Sequence, residues 1–566
     1  MKIILHKIKF MNERTKTGLE ILQAAVLLGV LGDVLLRETP WGLNVLLFIG
    51  AFVAVMVMLV LRRRSEFWNK QVISLHGALI FFGAIFVWRD SIQLKLLDTL
   101  AILTVLAILT LPALKINIPF AGVFHYIIGF FWSGINAVCS PFFLLFSDIK
   151  WKSIPQTGWS KHLIAVLRGL AIVAPLLLIF GALFVAADAV FQGIVEQTLN
   201  IDSGVLFGHL FLIGFLSWAV AGYLRGWLIY NISDDVTETF LEKQDEIKPQ
   251  TPSVTEEIKE DTVKTGEKSK PEEKKTREWQ NFDNSVLSKA FTLGAIETTI
   301  VLGLINLLFL TFVIVQIPYL FGGMNLVQNT PDFKLAEYAR RGFGELVTVA
   351  ALVLPILLLS HWLLRKDNPV NEKIYRILAG IQIVLLFVIM VSATQRLFLL
   401  TGNLGYGLTT ARLYPMVFMI FLALVFGWFA LTVLRGARER FAWGALWLAM
   451  FVLGTLHVFN PDEYIVRTNV RLMQEGRMFD PFYTTELSDD AAPALLESLP
   501  LMNFEQQCII KHKLERRFEK AQTENDLRTW NFSRWKARRE MSEYAESLNT
   551  SGCPAITRGY NSDFHD

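Results

Sequence analysis

The stretch "LAEYARRGFGEL", Leu335 to Leu346, places Glu337, Arg341 and Glu345 four residues apart, on one face of a helix. Arg340 lies three residues from Glu337 and shares it, and Tyr338 stands beside them. The alternating signs offer ion pairing. The arginine forks also offer two-point binding of a carboxylate or phosphate. A second group follows in "SATQRLFLLTGNLGYGLTTARLYP". There Arg396 closes one apolar run and Arg412 opens the next, with Gly402, Gly405 and Gly407 between them. Together Glu337, Tyr338, Arg340, Arg341, Glu345, Arg396 and Arg412 form a candidate ligand or ion-pair site. The alternative stays open: Arg side chains that reach the headgroups while their stems cover apolar surface, around a glycine turn.

No residue pattern points to catalysis or to a bound cofactor. There is no H-E-x-x-H, CxxC or phosphate-binding glycine loop, and no G-x-S-x-G elbow. His361 and His457 stand isolated in the sequence, so no metal site is expected. The first outer loop, "RETPW", lacks the acidic pair expected of a transferase acting on lipid-linked substrates.

Apolar runs of roughly 18 to 25 residues must position these groups, and that is the length that crosses a bilayer as a helix. Charged residues are only 19% of the 566, against about 25% in soluble proteins. The net charge of +3 gives no case for nucleic acid. Spans are expected near 18–36, 42–61, 71–88, 96–113, 168–187 and 205–224. Five more fall near 292–320, 344–364, 374–395, 413–434 and 441–458. Within them Glu297, Asn306, Gln316 and Gln382 are expected to face the bundle and bond across helices. Asp33 and Asp188 sit near span ends, within reach of water. Cys139 is expected to be buried.

The expected architecture is all-α: a polytopic bundle of about 11–12 spans. Residues 1–230 form an N-terminal bundle and 285–458 a second one. Between them 231–284, rich in Glu, Lys, Thr and Pro, reads as a disordered charged linker where a cytoplasmic protein partner would dock. Residues 459–566 read as a helical tail, with a capped helix start at Ser488.

Orientation follows Lys and Arg in the short loops. Arg62–Arg64, Arg365, Lys366, Lys373, Arg376, Arg435, Arg438 and Arg440 mark the inside. The N-terminus and linker then lie inside and the tail outside, provided that 119–147 crosses an even number of times. That stretch is too short for two crossings at about 1.5 Å per residue, so a re-entrant or interfacial helix pair is expected there. An outer compartment would allow a Cys508–Cys553 disulfide.

"RGLAIVAPLLLIFGALFVAADAVF", "EYARRGFGEL", "RLFLLTGNLGYGLTTARLYP" and "NPDEYIVRTNV" follow one another in an order that resembles a domain-of-unknown-function family of bacterial multi-pass membrane proteins. The likeness runs from about Arg168 to Ser498, skipping the linker. It implies the architecture and a bacterial cytoplasmic-membrane location, and carries no activity. Two functions stay open, a membrane scaffold or regulator and a transporter or channel for a small solute or ion.

Overall fold

The computed structural model describes residues 13–151, 203–229, 292–328, 335–365, 368–398, 401, 407–523, 526–544, 550 and 552–554. The expected span at 168–187, with Asp188, and the linker at 231–284 lie outside these. The described residues form helices joined by short turns, with no strand among them. Among the described residues, eleven helices are long and apolar enough to cross a membrane. They are α1 (Glu13–Leu36), α2 (Leu43–Arg63), α3 (Lys70–Trp88), α4 (Ile92–Leu109), α5 (Val123–Phe143), α6 (Ser203–Leu228), α7 (Ala295–Gln328), α8 (Leu335–Leu363), α9 (Pro369–Phe398), α10 (Thr410–Thr432) and α11 (Phe441–Phe459). The protein is an all-α polytopic membrane protein. Its lipid solvent shows in the exposed faces: Leu27, Leu100, Leu304, Val384 and Phe451 all point outward, which water would penalise and hydrocarbon does not.

Two apolar cores hold the bundle. Ile21, Met56, Leu75, Phe82, Ile108 and Trp227 are at the centre of the first, which also takes Leu446 and Met450 from α11. Leu302, Leu357, Tyr375, Leu386 and Phe426 centre the second. Of the polar residues expected to bond across helices, Asn306 and Gln316 do so, whereas Glu297 is exposed at the start of α7, where it accepts from Gly294 N at 3.0 Å, and neither Nε2 nor Oε1 of Gln382 has a hydrogen-bond partner. Asn306 Nδ2 donates to the Leu378 carbonyl at 2.9 Å, and Ser392 Oγ donates to Gln316 Oε1 at 3.2 Å. Gln382 is fully buried. Asp33 does not reach water; it is buried against His209 Nδ1 at 2.6 Å, binding α1 to α6. Cys139 is exposed rather than buried, because α5 turns it outward.

The stretch 119–147 is one helix, not a pair. α5 runs on through a π turn, Leu144–Asp148. Both of its ends meet the same end of the bundle. The turn before it, Ile118–Phe120, packs on Arg438–Arg440. At its far end Asp148 accepts from Arg14 Nε at 2.8 Å and Arg225 Nε at 2.5 Å, at the start of α1 and near the end of α6. In between, Gly129 meets Ala107 and Leu111 at the end of α4, and Asn136 meets Gly222 and Gly226. The helix is long enough to cross, yet it lies across the ends of α1, α4 and α6. Its apolar surface, Phe130, Phe131, Ile135, Val138 and Phe142, is left outward.

That crossing depends on one close approach. A Cβ at Gly222 would come within 2.3 Å of the Asn136 carbonyl oxygen and 2.7 Å of that of Ala137. Gly222→Val should therefore push α5 off α6 and cost about 1–3 kcal/mol. Gly214→Val, on the same helix with nothing within 4 Å, should leave the thermal midpoint of the purified protein nearly unchanged.

The tail is a compact helical cap: α12 (Pro461–Gln474), α13 (Pro481–Glu486), α14 (Ala492–Ser498), α15 (Phe504–Thr523) and α16 (Phe532–Glu543). Its own core is Ile465, Val466, Leu495, Ile510, Leu514 and Met541. Cys508 and Cys553 are joined, with S–S 2.06 Å, linking α15 to the chain beyond α16.

Candidate functional site

The cap is bonded to the bundle through polar side chains that apolar spans do not supply on their own. Asp90 and Ser91 lead into α4, Ser91 as its cap residue, and their backbone N–H groups have no partner inside the helix. Asp490, in the turn before α14, supplies one: its Oδ2 accepts from Asp90 N at 2.7 Å and Ser91 N at 2.9 Å. The same carboxylate accepts from Ser533 Oγ, Arg89 Nη1 stands at 3.4 Å, and Asp490 N donates to Ser488 Oγ at 3.3 Å. Asp490 is 3% exposed. Three parts of the chain thus meet on one carboxylate.

Other contacts widen the junction. Asn531 Nδ2 donates to the carbonyls of Phe86 and Arg89, both at 2.9 Å, and Arg89 Nε donates to the His457 carbonyl at 2.8 Å. Leu43 N donates to the Trp530 carbonyl, and Arg534 Nη2 to that of Trp41. On the other flank Asn469 brackets Leu408, accepting from its N–H at 2.6 Å and donating to its carbonyl at 2.9 Å. This pins Gly407 at φ +69°, a left-handed turn that suits glycine. His457, isolated in sequence, is paired: its Nε2 lies 3.0 Å from Asp98 Oδ2, and both residues are buried.

Between cap and bundle lies a chamber of about 590 Å³. Asp90, Asp462, Glu486 and Asp489 line it, and so do Arg517, Lys520, Arg534 and Arg538. Asp462 is 1% exposed; its Oδ2 accepts from Ser488 Oγ at 2.5 Å. Burial pushes the Asp462 carboxyl up, and Asp490 beside it adds to the rise. Asp489 is pushed up from 3.8 to about 6, first by burial and then by Asp90, while Arg517 and Arg534 pull it back.

The raised carboxyls set a pH dependence. A released Asp489 titrates near 3.8 and a docked one near 6, so between those values the docked cap binds more protons. Docking should therefore strengthen as pH falls through about 6, by on the order of 1 kcal/mol between about pH 7.5 and 5. The midpoint for cap release, followed by limited proteolysis along a urea series, checks this. Asp489→Asn should flatten the dependence.

The arginine junctions highlighted in the sequence lie elsewhere. Glu337, Tyr338, Arg340 and Arg341 fall in the first turns of α8 and Arg396 near the end of α9, but their side chains lie outside the described residues. Glu345 is exposed. Arg412, in the first turn of α10, donates through Nη1 to the Gly407 carbonyl. It is half-buried and does not line the chamber. Among the described residues no three His, Cys, Asp or Glu side chains gather as a metal-ligand set. Of the junction residues, only Ser488 stands out in the sequence, as the helix cap it proves to be; Asp90, Asp462, Asp490 and Ser533 do not. "NPDEY" contains Asp462 and "LSDD" contains Asp490, but a local reading exhausts the second as a helix cap.

A family model described as Domain of unknown function (DUF4153) matches residues 76–498. The match begins earlier than the motifs suggested and takes in Asp90, Asp462 and Asp490, but not α15 or α16. No curated protein and no solved structure matches the chain.

Proposed function

This chain belongs to the family described as Domain of unknown function (DUF4153), and we propose on that premise that it acts as a scaffold or regulatory component of a bacterial cytoplasmic membrane. The N-terminus and the linker are inside and the cap outside. The basic turns at Arg62–Arg64 and Arg435–Arg440 support that orientation. The paired Cys508 and Cys553 in the cap support it too, since disulfides persist outside the cytoplasm.

The observation that carries the scaffold reading is the Asp490 junction. It binds the cap to α3, α4 and α11 in one arrangement, as a platform requires. The linker at 231–284 then serves as a tether for a cytoplasmic protein. Deleting 236–278 tests this: partners recovered by pulldown and the knockout phenotype should both change. If both stay intact, the reading fails.

One observation favours a second reading, transport of a small solute or ion. Asp98 and His457 form a buried pair within the spans, and ionisable groups placed there are costly enough to suggest use. Under that reading wild type shows a proteoliposome flux that Asp98→Asn, Arg341→Ala or Arg396→Ala would abolish; under the first, wild type shows none.

A further inference from the structure

The chamber between cap and bundle is walled by polar groups that the fold satisfies only in part. Asp462 is almost fully buried, lines the chamber, and has no hydrogen-bond partner at Oδ1. Arg517 spends Nη2 on the Leu487 carbonyl at 2.7 Å. Its Nη1 makes no hydrogen bond and stands 3.6 Å from Asp489. Arg534 spends Nη2 on the carbonyls of Trp41 and Thr529, while its Nε makes no hydrogen bond and lies 3.5 Å from Asp90. Asp462 Oδ1 is therefore left without a hydrogen-bond partner, and the two guanidinium groups on the same wall hold Asp489 and Asp90 only at ion-pair distance. Buried polar groups without partners are rare in native proteins, and each one asks for an explanation.

The signs on the wall select the ligand. Four carboxylates line the chamber, and a plain anion would meet all of them. Four cations line it as well, and a plain cation would meet those. A molecule carrying both charges satisfies both. It supplies N–H donors to Asp462 and oxygen acceptors to the two guanidinium groups. A volume of about 590 Å³ is of the size that small-molecule sites have.

We propose that this chamber binds a small zwitterion, with an ammonium and a phosphate or carboxylate a few bonds apart. Asp462 takes the ammonium, and Arg517 and Arg534 take the oxyanion. Such a group could be a free solute or a lipid headgroup, since the chamber lies where the cap meets the span ends Pro40 and Ile92. The inference does not depend on the scaffold reading, because a transporter could carry the same site.

The test uses the full-length protein in nanodiscs of phosphatidylglycerol, with binding followed by calorimetry and thermal shift. The probes are phosphoethanolamine and γ-aminobutyrate, with ethanolamine and methyl phosphate as single-charge controls. At least one zwitterion should bind saturably, about tenfold or more tighter than either control. Asp462→Asn keeps the shape and the Ser488 contact and should weaken binding about tenfold. If that variant misfolds, Lys520→Glu, at an exposed position on the rim, places a like charge against the oxyanion and should weaken binding several-fold. Rebuilding the nanodisc with phosphatidylethanolamine identifies the source. A raised apparent Kd marks the lipid headgroup as the occupant, and an unchanged one marks a free solute; either supports the assignment. Failure of both zwitterions to saturate below about 10 mM would overturn it. So would a control that binds as tightly, or folded variants that bind like wild type.

Discussion

Asp490→Ala should release the C-terminal cap, at a cost of about 3–5 kcal/mol. The carboxylate, 3% exposed, accepts from two backbone N–H groups and the Ser533 hydroxyl and faces Arg89. Alanine leaves those donors without a partner, and an unmade buried hydrogen bond costs more than a made one contributes. Asp490→Asn keeps the shape and part of the acceptor capacity, so it should lose about 1–2 kcal/mol. Limited proteolysis reads the effect: α15 and α16 should become cleavable in the alanine variant while the spans stay protected. Ser533→Ala removes one donor and leaves the rest in place, so it should be the mildest of the three.

Asp148→Ala should be comparably severe, for an electrostatic reason. Arg225 is 6% exposed, and Asp148 is its carboxylate partner at 2.5 Å. Removing that partner strands a cation among Phe143, Ser140 and the ends of α1 and α6. Breaking a buried pair from one side typically costs about 3–5 kcal/mol, whereas replacing both members with apolar groups is often neutral. Asp148→Leu combined with Arg225→Met should therefore recover most of the loss. Thermal unfolding of wild type, both single variants and the double variant gives the coupling directly. A double variant no better than Asp148→Ala would mean that Arg14, which shares the carboxylate at 2.8 Å, matters more than Arg225.

The spans were legible because hydrocarbon demands long apolar helices, and α1 to α4 and α6 to α11 all fall close to the expected runs. α5 was half legible. Its length excludes two crossings, but a single sequence does not show that Asp148 returns to Arg14, so one helix stood as a pair. The cap junction was not legible at all. Asp490 and Ser91 are separated by 399 positions, and each has a sufficient local explanation, a helix cap in one case and a span end in the other. The arginines of α8 to α10 drew attention because charge beside an apolar run is conspicuous. Asp462 and His457 carry buried pairings but look ordinary in sequence. Local pattern reports what a residue does to its own helix, and this site is made of residues acting on distant ones.

The cap shares a face with the α1–α2 turn, and both ends of α5 share the opposite face with the α2–α3 turn. Single cysteines at Glu38, Met478, Glu66, Lys115, Lys150 and Glu439, in a chain lacking its three native cysteines, can be labelled in intact cells with a membrane-impermeant maleimide. Glu38→Cys and Met478→Cys should label together. Glu66→Cys, Lys115→Cys, Lys150→Cys and Glu439→Cys should label only after permeabilisation. Labelling of Lys150→Cys alongside Met478→Cys would mean that α5 crosses the membrane, and the arrangement described for the bundle and its cap would be wrong.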